Sequence, residues 1–441
     1  MSSEWQTSSL LDLYEVRSGL SKPSRDFGTG YPFLTFKDVF YNYFTPIQLG
    51  DLVQSTDKDR EACSVRRGDV FLTRTSETMH ELGMSCVALR DYPDAAFNGF
   101  CKRLRPKSNC EVVPEFAGYY FRSPTFRRAM LAMSSMSTRA SLNNEMIARL
   151  EIYYPPKDIQ EKIAGILKSL DDRITLLRET NATLEAIAQT LFKSWFVDFD
   201  PVHAKQEGRI PEGMDEVTAA LFPDSFEESE LGLVPKGWQT RPLYSMATYV
   251  NGAAYKKFEP NLERRGLPII KIAELKAGVT AQTAFSDVAM PEKYHIKHGD
   301  ILFSWSGNPD TSIDTFVWHH GDSLLNQHIF RVIPNQTEEK SFVLQTLKYL
   351  RPVFAELARN KQTTGLGHVT VADLKTLYVV RPDQPVLEIF NETINSIHAA
   401  IFENTNQTLT FSDIRDTLLP RLISGKLRLP EAEAELESVA S

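Results

Sequence analysis

Two segments of the chain carry apolar residues at alternating intervals of four and three, which is the spacing of a heptad seam. In the first segment the seam residues are Ile163, Leu167, Leu170, Ile174, Leu177, Asn181, Leu184, Ala188, Leu191 and Trp195. Pro155, Pro156 and Asp158 mark the start of this segment, and residues 198–201 mark its end. The pattern therefore predicts a helix over about 157–196, roughly 60 Å long at about 1.5 Å per residue.

A second seam repeats the first one in a constant register, with Phe390 in the place of Ile163. Its residues are Phe390, Ile394, Ile397, Ile401, Asn404, Thr408, Phe411, Arg415, Leu418 and Leu422. Because a seam needs a partner, we expect the two helices to pair antiparallel with each other. The alternative is that each helix packs only on its own neighbouring domain. Opposing the two midpoints places Asn181 against Asn404, where two amides can satisfy each other's hydrogen bonds.

The segments that precede the two seams are two copies of one unit. Five blocks recur in the same order, and the spacing between matched blocks drifts only slightly along the chain. The matched blocks are 5–7 with 238–240, 31–34 with 267–270, 67–71 with 298–302, 98–106 with 326–334, and 147–155 with 374–382. Duplication followed by small loop insertions explains such an ordered set, and a repeat of this length indicates two domains. Short β-branched and aromatic runs that follow Gly68-Asp69 and Gly299-Asp300 predict strands entered through tight turns.

These patterns predict an α+β fold of two similar globular domains, each followed by a long helix, with the two helices pairing as an antiparallel coiled coil. The expected boundaries are 1–155 for the first domain, 156–200 for its helix, 201–230 for an acidic linker, 231–382 for the second domain and 383–428 for its helix. Residues 429–441 form an acidic tail that we expect to be solvated.

Charge and composition leave a nucleic-acid partner possible. Apolar residues make up 42% and charged residues 24% of the chain, as in ordinary globular proteins. The net charge of −8 is concentrated in residues 156–230 (−8) and 383–441 (−6), whereas residues 1–155 carry +1 and residues 231–382 carry +5. Local rather than total charge governs attraction to phosphate. With no leader pattern at its start and no apolar run of about 18 residues, the chain is expected to be cytoplasmic.

The sequence offers no recognisable catalytic or metal-binding motif. Cys63, Cys86, Cys101 and Cys110 lack the paired short spacings of a zinc site, so we expect reduced thiols and no metal. Phosphate-loop, dinucleotide-binding, GxSxG and HExxH patterns do not occur. Residues 308–310 (Asn-Pro-Asp) lack the second proline and the aromatic residue of an amino-methyltransferase motif. We therefore assign no catalytic residue.

Three segments resemble a known family, the specificity subunits of type I restriction-modification enzymes. Residues 184–201 (LEAIAQTLFKSWFVDFDP) resemble the central conserved region of that family. Residues 231–238 (LGLVPKGW) resemble the entry to its second recognition domain, and residues 418–426 (LLPRLISGK) resemble the end of its C-terminal conserved helix. The resemblance covers nearly the whole chain.

The resemblance implies that each globular domain is a target-recognition domain that reads one half of a split DNA site. The paired helices would hold the two domains apart across an unread spacer and dock two methyltransferase subunits, with restriction subunits added for cleavage. The chain would itself be no enzyme and hold no cofactor, because S-adenosylmethionine, ATP and Mg are expected in the partner subunits. The alternatives are a stand-alone DNA methyltransferase or nuclease, and a coiled-coil adaptor that does not bind DNA.

Residue chemistry nominates three groups of contacts. Arginine, lysine and polar side chains reach base edges and phosphates, and the candidates in the polar loops of equivalent blocks are Lys22, Arg25, Arg74, Thr75, Ser76, Arg139, Lys256, Lys257, Trp305, Ser306, Asn308, Lys361, Gln362 and Thr363. The helix-pairing candidates are Leu170, Ile174, Leu177, Asn181, Leu184, Ile397, Ile401, Asn404 and Phe411. The candidates for partner-subunit contact are Trp195, Phe196 and Phe199, for which packing of the helix end within the chain is the alternative.

Overall fold

The computed structural model describes residues 5–76, 81–132, 140–362 and 366–440. The chain divides into two units, of which the first comprises Met1–Thr175 with Thr408–Ser441 and the second comprises Leu176–Gln407. Both boundaries fall inside long helices, so each of these helices contributes residues to both units.

The first unit contains two main sheets and a set of short helices. Its strands are β1 Gln6–Ser9, β2 Tyr14–Ser18, β3 Phe27–Leu34, β4 Asp51–Val53, β5 Val70–Thr73, β6 Thr75–Ser76, β7 Ser85–Val87, β8 Ala96–Phe97, β9 Cys101–Pro106, β10 Ala140–Ser141 and β11 Glu151–Tyr154. Its short helices are α1 Leu10–Leu13, α2 Phe36–Tyr41, α3 Asp57–Ala62, α4 Pro114–Tyr120, α5 Pro124–Ala132 and α6 Asn144–Ala148. The strands form a sheet of order β2-β9-β5-β7, a sheet of order β4-β3-β8, and the pairs β1-β11 and β6-β10.

Helix α7 spans Lys157–Phe196 and is followed by α8 (Asp200–Gln206) and α9 (Glu216–Leu221). The strands that come next are β12 Phe226–Ser229, β13 Gly232–Pro235, β14 Gln239–Pro242, β15 Ala247–Asn251, β16 Leu267–Ile270, β17 Phe285–Ser286, β18 His295–Ile296, β19 Ile301–Ser304, β20 Ser306–Gly307, β21 Asp314–Val317, β22 Ser323–Leu325, β23 Ile329–Pro334, β24 Gly367–His368 and β25 Tyr378–Arg381. The remaining helices are α10 Ile272–Ala277, α11 Lys340–Tyr349, α12 Arg351–Asn360, α13 Val371–Thr376, α14 Gln384–Ile423 and α15 Leu429–Ala440.

The second unit repeats the topology of the first, which confirms the predicted duplication. Its sheets have the orders β15-β23-β19-β21 and β17-β16-β22-β18, and the pairs β14-β25 and β20-β24 match β1-β11 and β6-β10. Each unit contains one parallel strand pair at the same place, β3 with β8 and β16 with β22. The two predicted strands after the Gly-Asp turns are β5 and β19, which are buried throughout.

The Gly-Asp dipeptides form the turns that the sequence predicts. Gly68 and Gly299 have φ angles of +88° and +82°, a region that favours glycine. The Asp69 carboxylate accepts the backbone N–H of Arg66 at 2.7 Å, and in the second unit Asp300 accepts that of Lys297 at 2.8 Å. These residues therefore close turns.

The two long helices pair antiparallel in both units. In the first unit Leu167 of α7 and Leu418 of α14 share one core, and Arg415 forms an ion pair with Asp171 at 2.8 Å. In the second unit residues 188–196 of α7 share a core with residues 386–394 of α14. The nine predicted pairing residues are all buried or half-buried. Both cores also contain residues of the globular domains. Each seam is therefore buried partly against the other helix and partly against a domain.

One predicted segment, the tail, differs from expectation. The acidic tail over residues 429–441 is not simply solvated, because α15 packs on the core of the first unit, with Ala432 fully buried and Leu436 against it. The Arg421 guanidinium also binds both carboxylate oxygens of Glu435, at 2.8 and 2.9 Å. The apolar residues of α15 recur at three- and four-residue intervals, which gives it one buried face. Residues 201–230, the expected linker, contain most of α8, all of α9 and strand β12.

Among the described residues, no helix is both long enough and apolar enough to cross a membrane. Within the same ranges, no group of three or more His, Cys, Asp or Glu side chains is arranged to hold a metal ion. The four cysteines are free thiols.

The asparagines in the two seams meet within the second unit. Asn404 Nδ2 donates to Asn181 Oδ1 at 2.9 Å. Asn181 Nδ2 in turn donates to the carbonyl of Ile401 at 3.2 Å and to Thr405 Oγ1 at 3.1 Å. This network satisfies both donors of the Asn181 amide, so its desolvation is compensated.

We expect the two amides to be strongly coupled. N181L should lower the thermal midpoint by an amount equivalent to about 1–3 kcal/mol, because it leaves the Asn404 amide without this acceptor. The double variant N181L/N404L should unfold at a higher temperature than N181L and at least as high as the unsubstituted protein, since it restores an apolar seam. The thermal midpoints of the parent, N181L, N404L and the double variant together make up a double-mutant cycle. Additive effects of the two substitutions would contradict the coupling.

Candidate nucleic-acid interface

In the first domain Arg74 connects β5 to β6 and is held by two backbone hydrogen bonds. Its N–H donates to the carbonyl of Phe100 at 2.7 Å, and its carbonyl accepts the N–H of Leu142 at 2.8 Å. Thr75 follows in β6, opposite Ser141 of β10. Because the Phe100 side chain is 62% exposed, this backbone arrangement combines an arginine, a hydroxyl group and an accessible aromatic ring.

In the second domain Trp305 connects β19 to β20 and makes the same two backbone hydrogen bonds. Its N–H donates to the carbonyl of His328 at 3.2 Å, and its carbonyl accepts the N–H of Val369 at 2.8 Å. Ser306 follows in β20, opposite His368 of β24. The two domains therefore share one backbone frame here, with Trp305 in the place of Arg74 and His328 in the place of Phe100.

Side chains around this position in the second domain form what we call the Trp305 cluster, which consists of Asn251, Trp305, Ser306, His328 and His368. Trp305 Nε1 donates to Asn251 Oδ1 at 3.2 Å, and Ser306 Oγ lies 2.9 Å from His368 Nδ1. The ring centroid of Trp305 lies 5.3 Å from that of His328 and 5.9 Å from that of His368. The cluster thus gathers three aromatic rings and two further hydrogen-bonding side chains from four separate segments.

The electrostatics of the two sites differ. In the first domain burial and then the nearby Arg74 lower the pKa of Lys102, whose Nζ donates to Asn144 Oδ1 at 2.6 Å. In the second domain burial and then His368 lower the pKa of His328, which keeps its imidazole neutral at neutral pH. One site therefore has two cations close together, while the other has an uncharged ring that can donate or accept.

Lys22 and Arg25 of the first domain take no part in the backbone hydrogen bonds of this frame. Lys22 forms an ion pair with Asp59 at 2.9 Å, and the Asp59 pKa is lowered to about 2 by hydrogen bonds from Thr56 and Lys22. The Arg25 side chain is 86% exposed and lies 3.8 Å from the Asp26 carboxylate. Ser76 lies in β6, and Arg139 lies outside the described residues.

In the second domain the remaining candidates occupy turns and helix ends. Lys256 and Lys257 are exposed in a 3₁₀ turn over Tyr255–Phe258. Asn308 Oδ1 accepts the backbone N–H groups of residues 310 and 311 at 2.9 and 3.2 Å, so its carbonyl oxygen closes a turn. Lys361 forms an ion pair with Asp373, the residue that completes the capping box of α13. Gln362 is exposed, and Thr363 lies outside the described residues. That these residues contact DNA stays a prediction.

The predicted partner-contact group is corrected by its burial. Trp195 and Phe196 are 7% and 4% exposed and lie in the core of the second unit, where both rings pack on Phe390. The interpretation as a partner surface is therefore wrong for these two residues, and packing of the helix end within the chain is what the structure shows. Phe199 is half-buried, with its ring 6.0 Å from that of Trp238.

Sequence reasoning missed His328, His368, Asn251 and Phe100. Asn98 and Asn326 are matched residues of the repeat, and Phe100 and His328 each stand two positions later. If the alignment of the two copies is continued beyond the matched asparagines, it pairs Phe100 with His328. The repeat is visible in identical residues, whereas the site lies where the two copies differ.

Two glycines hold the loops that lead into this frame. A Cβ atom on Gly19 would lie 2.2 Å from the carbonyl oxygen of Asn98, and one on Gly252 would lie 2.0 Å from that of Asn326. We expect G19A and G252A each to lower the free energy of unfolding by about 1–3 kcal/mol, because backbone must move to admit the methyl group. Denaturant unfolding of each variant measures the effect.

The matched control is G165A. Gly165 lies in α7, and nothing lies within 4 Å of the position that a methyl group would take there, so alanine should raise stability by about 0.5–1 kcal/mol. Unchanged stability of G19A and G252A would show that the close approach does not constrain these loops.

Comparison with known proteins places the whole chain in one group. The family described as type I restriction modification DNA specificity domain matches residues 2–186 and 235–410, which cover both domains. The type I restriction enzyme MjaIX specificity subunit of Methanocaldococcus jannaschii is 26% identical, with 97% of this chain and 94% of that protein covered. The HindI specificity subunit of Haemophilus influenzae is 25% identical, with 96% and 100% covered.

A solved structure shares the fold. The crystal structure of the type I restriction-modification S subunit from M. genitalium superposes with a TM-score of 0.52 at 14% identity, covering 96% of this chain and 97% of that one. Because the family model matches both domains, the chain belongs to the family of type I restriction-modification DNA specificity subunits.

Proposed function

We propose that each globular domain reads one half of a bipartite DNA site and that the base pairs between the halves are not read. The observation that carries this proposal is the shared backbone frame with different side chains. Two readers of one architecture suit two half-sites, and different side chains on the same frame suit two different sequences.

The chemistry of the two sites fits base reading. Arg74 has the bidentate donor pair that matches the O6 and N7 acceptors of guanine. Trp305 offers a flat ring beside two imidazoles. Ser306 is buried, and its hydroxyl group positions the His368 ring. The local net charges of +1 and +5 for residues 1–155 and 231–382 do not oppose approach to phosphates.

Partner subunits complete the proposed complex. We expect two methyltransferase subunits to dock, because each unit has a groove beside the C-terminal end of a long helix. The helix is α7 in the second unit and α14 in the first. In the second unit the groove is lined by Phe199, Tyr378 and the exposed Leu233. In the first unit the equivalent groove is lined by Tyr153 and residues 424–426. Restriction subunits would join for cleavage, and S-adenosylmethionine, ATP and Mg would be bound by the partners, since specificity subunits are the non-catalytic component.

Domain exchange tests the division of labour. Replacing residues 14–148 with the equivalent segment of another specificity subunit keeps the β1-β11 pair and should change only one half of the methylated motif. The motif is measured by sequencing methylated DNA from a host that expresses the chain with its methyltransferase subunit.

The reciprocal exchange of residues 247–374 is the matched control and should change only the other half. A change in both halves, or in neither, would contradict the proposal. Methylation by the purified chain alone would favour a stand-alone enzyme, and absence of salt-sensitive DNA binding in the assembled complex would favour an adaptor.

We also expect helix length to set the unread spacer. Four residues inserted after Thr180 in α7 and four after Thr405 in α14 keep the Asn181–Asn404 contact within the second unit. Each helix gains about one turn and roughly 6 Å, close to two base-pair rises of about 3.4 Å. The spacer in the methylated motif should grow by one or two base pairs while both halves stay the same. Four residues inserted after Gly208 in the linker are the control. An active double insertion variant that keeps the original spacer would show that helix length does not set the spacer.

A further inference from the structure

We propose that His328 is a specificity-determining residue of the second domain, and that its Nε2–H donates to the N7 acceptor of one purine in the second half-site. This inference rests on the proposed function, because it assumes that the second domain reads DNA. It names the atom that does part of the reading and the kind of base edge that the atom recognises.

The backbone of His328 is the first reason. Its φ angle is +80°, in the left-handed region that glycine adopts freely and that costs other residues about 1–3 kcal/mol. The hydrogen bond made at this position uses the backbone carbonyl, which glycine also has. A residue with a side chain is therefore held in a strained conformation, and strain of this kind concentrates at functional sites.

The hydrogen bonding of the ring is the second reason. Nδ1 of His328 is buried and has no hydrogen-bond partner. Nδ1 lacks a partner in either tautomer, but a buried N–H without an acceptor is rarer in proteins than a buried acceptor without a donor. Burial and then His368 lower the pKa of His328, so the ring is neutral, and we assign its one proton to Nε2. The half-buried ring thus presents a donor at Nε2, not an acceptor.

The duplicated frame is the third reason. The equivalent residue in the first domain is Phe100, whose side chain is 62% exposed. The same backbone position therefore presents an accessible side chain in one copy and a hydrogen-bond donor in the other. In the major groove N7 is an acceptor on both adenine and guanine, whereas cytosine presents a donor and thymine presents its acceptor, O4, at a different place. A donor held at the position of N7 therefore selects a purine.

The test uses the complex of the full chain with its methyltransferase subunits. Duplexes carrying 7-deazapurine at one purine of the second half-site at a time lack only the N7 acceptor. We expect the unsubstituted complex to bind one of these duplexes roughly tenfold more weakly than normal DNA, about the value of one hydrogen bond. The H328G complex should bind normal DNA more weakly and lose its sensitivity at that one position.

Glycine suits this backbone, so H328G should fold as well as the parent. H328N is the second variant, because asparagine also adopts left-handed backbone and keeps an N–H donor; it should retain part of the sensitivity. Glu259, another non-glycine residue of positive φ (+45°) in this domain, provides the control E259G, which should leave the deazapurine profile unchanged.

The outcomes separate the two proposals. An H328G profile identical to that of the parent at every purine would overturn the role of His328, while a bipartite methylation motif would leave the proposed function standing. A parent complex without a bipartite motif would refute the proposed function and this inference with it. A parent profile with no sensitive purine in the second half-site would also overturn the inference.

Discussion

Each unit depends on covering the apolar seam of its long helices. A helix with an apolar stripe is stable in a protein mainly because that stripe is buried. In the first unit residues 157–175 are covered by the first domain and by residues 408–423, and in the second unit residues 176–196 are covered by the second domain and by residues 384–407. Leu167 and Leu418 share a core although more than half of the chain lies between them. The first core therefore includes side chains from nearly the end of the chain, and such non-local contacts make folding slow.

Polar groups in the seams restrict how the helices can pair. Asn181 and Asn404 are hydrogen-bonded to each other, and Arg415 forms an ion pair with Asp171. Asp171 also accepts a hydrogen bond from the Tyr119 hydroxyl group at 2.8 Å. A shift of one helix by a heptad would place Asn181 opposite Ile397 or Phe411, and Asn404 opposite Ile174 or Ala188. Buried polar pairs add little net stability, but unsatisfied ones cost it, so they select one register.

The features that repeat along the chain could be predicted from sequence, and those that depend on one residue's surroundings could not. Heptad spacing predicted both helices, and the constant register between the two seams predicted that Asn181 would face Asn404. Composition misled at the tail, because the acidic residues of α15 conceal the spacing of Leu429, Ala432 and Leu436. Trp195 and Phe196 suggested a partner surface because large aromatic residues suit both interfaces and cores, and only burial distinguishes the two. The role of His328 depends on a φ angle and an unpaired ring nitrogen, neither of which sequence records.

The division between frame and side chain explains how such a protein can change what it reads without losing its fold. The hydrogen bonds that hold Arg74 and Trp305 use main-chain atoms only, so they form whichever side chain is present. The close approaches at Gly19 and Gly252 fix the loops by excluded volume, again without the reading residues. Substitution at the proposed reading positions therefore leaves these backbone hydrogen bonds in place as long as the new residue fits the backbone. The exception is position 328, where φ is +80°: only residues that tolerate left-handed backbone fit there, which narrows the choice to glycine, asparagine, aspartate and histidine. Of these, glycine has no side chain to read with, and aspartate would repel the phosphates of DNA.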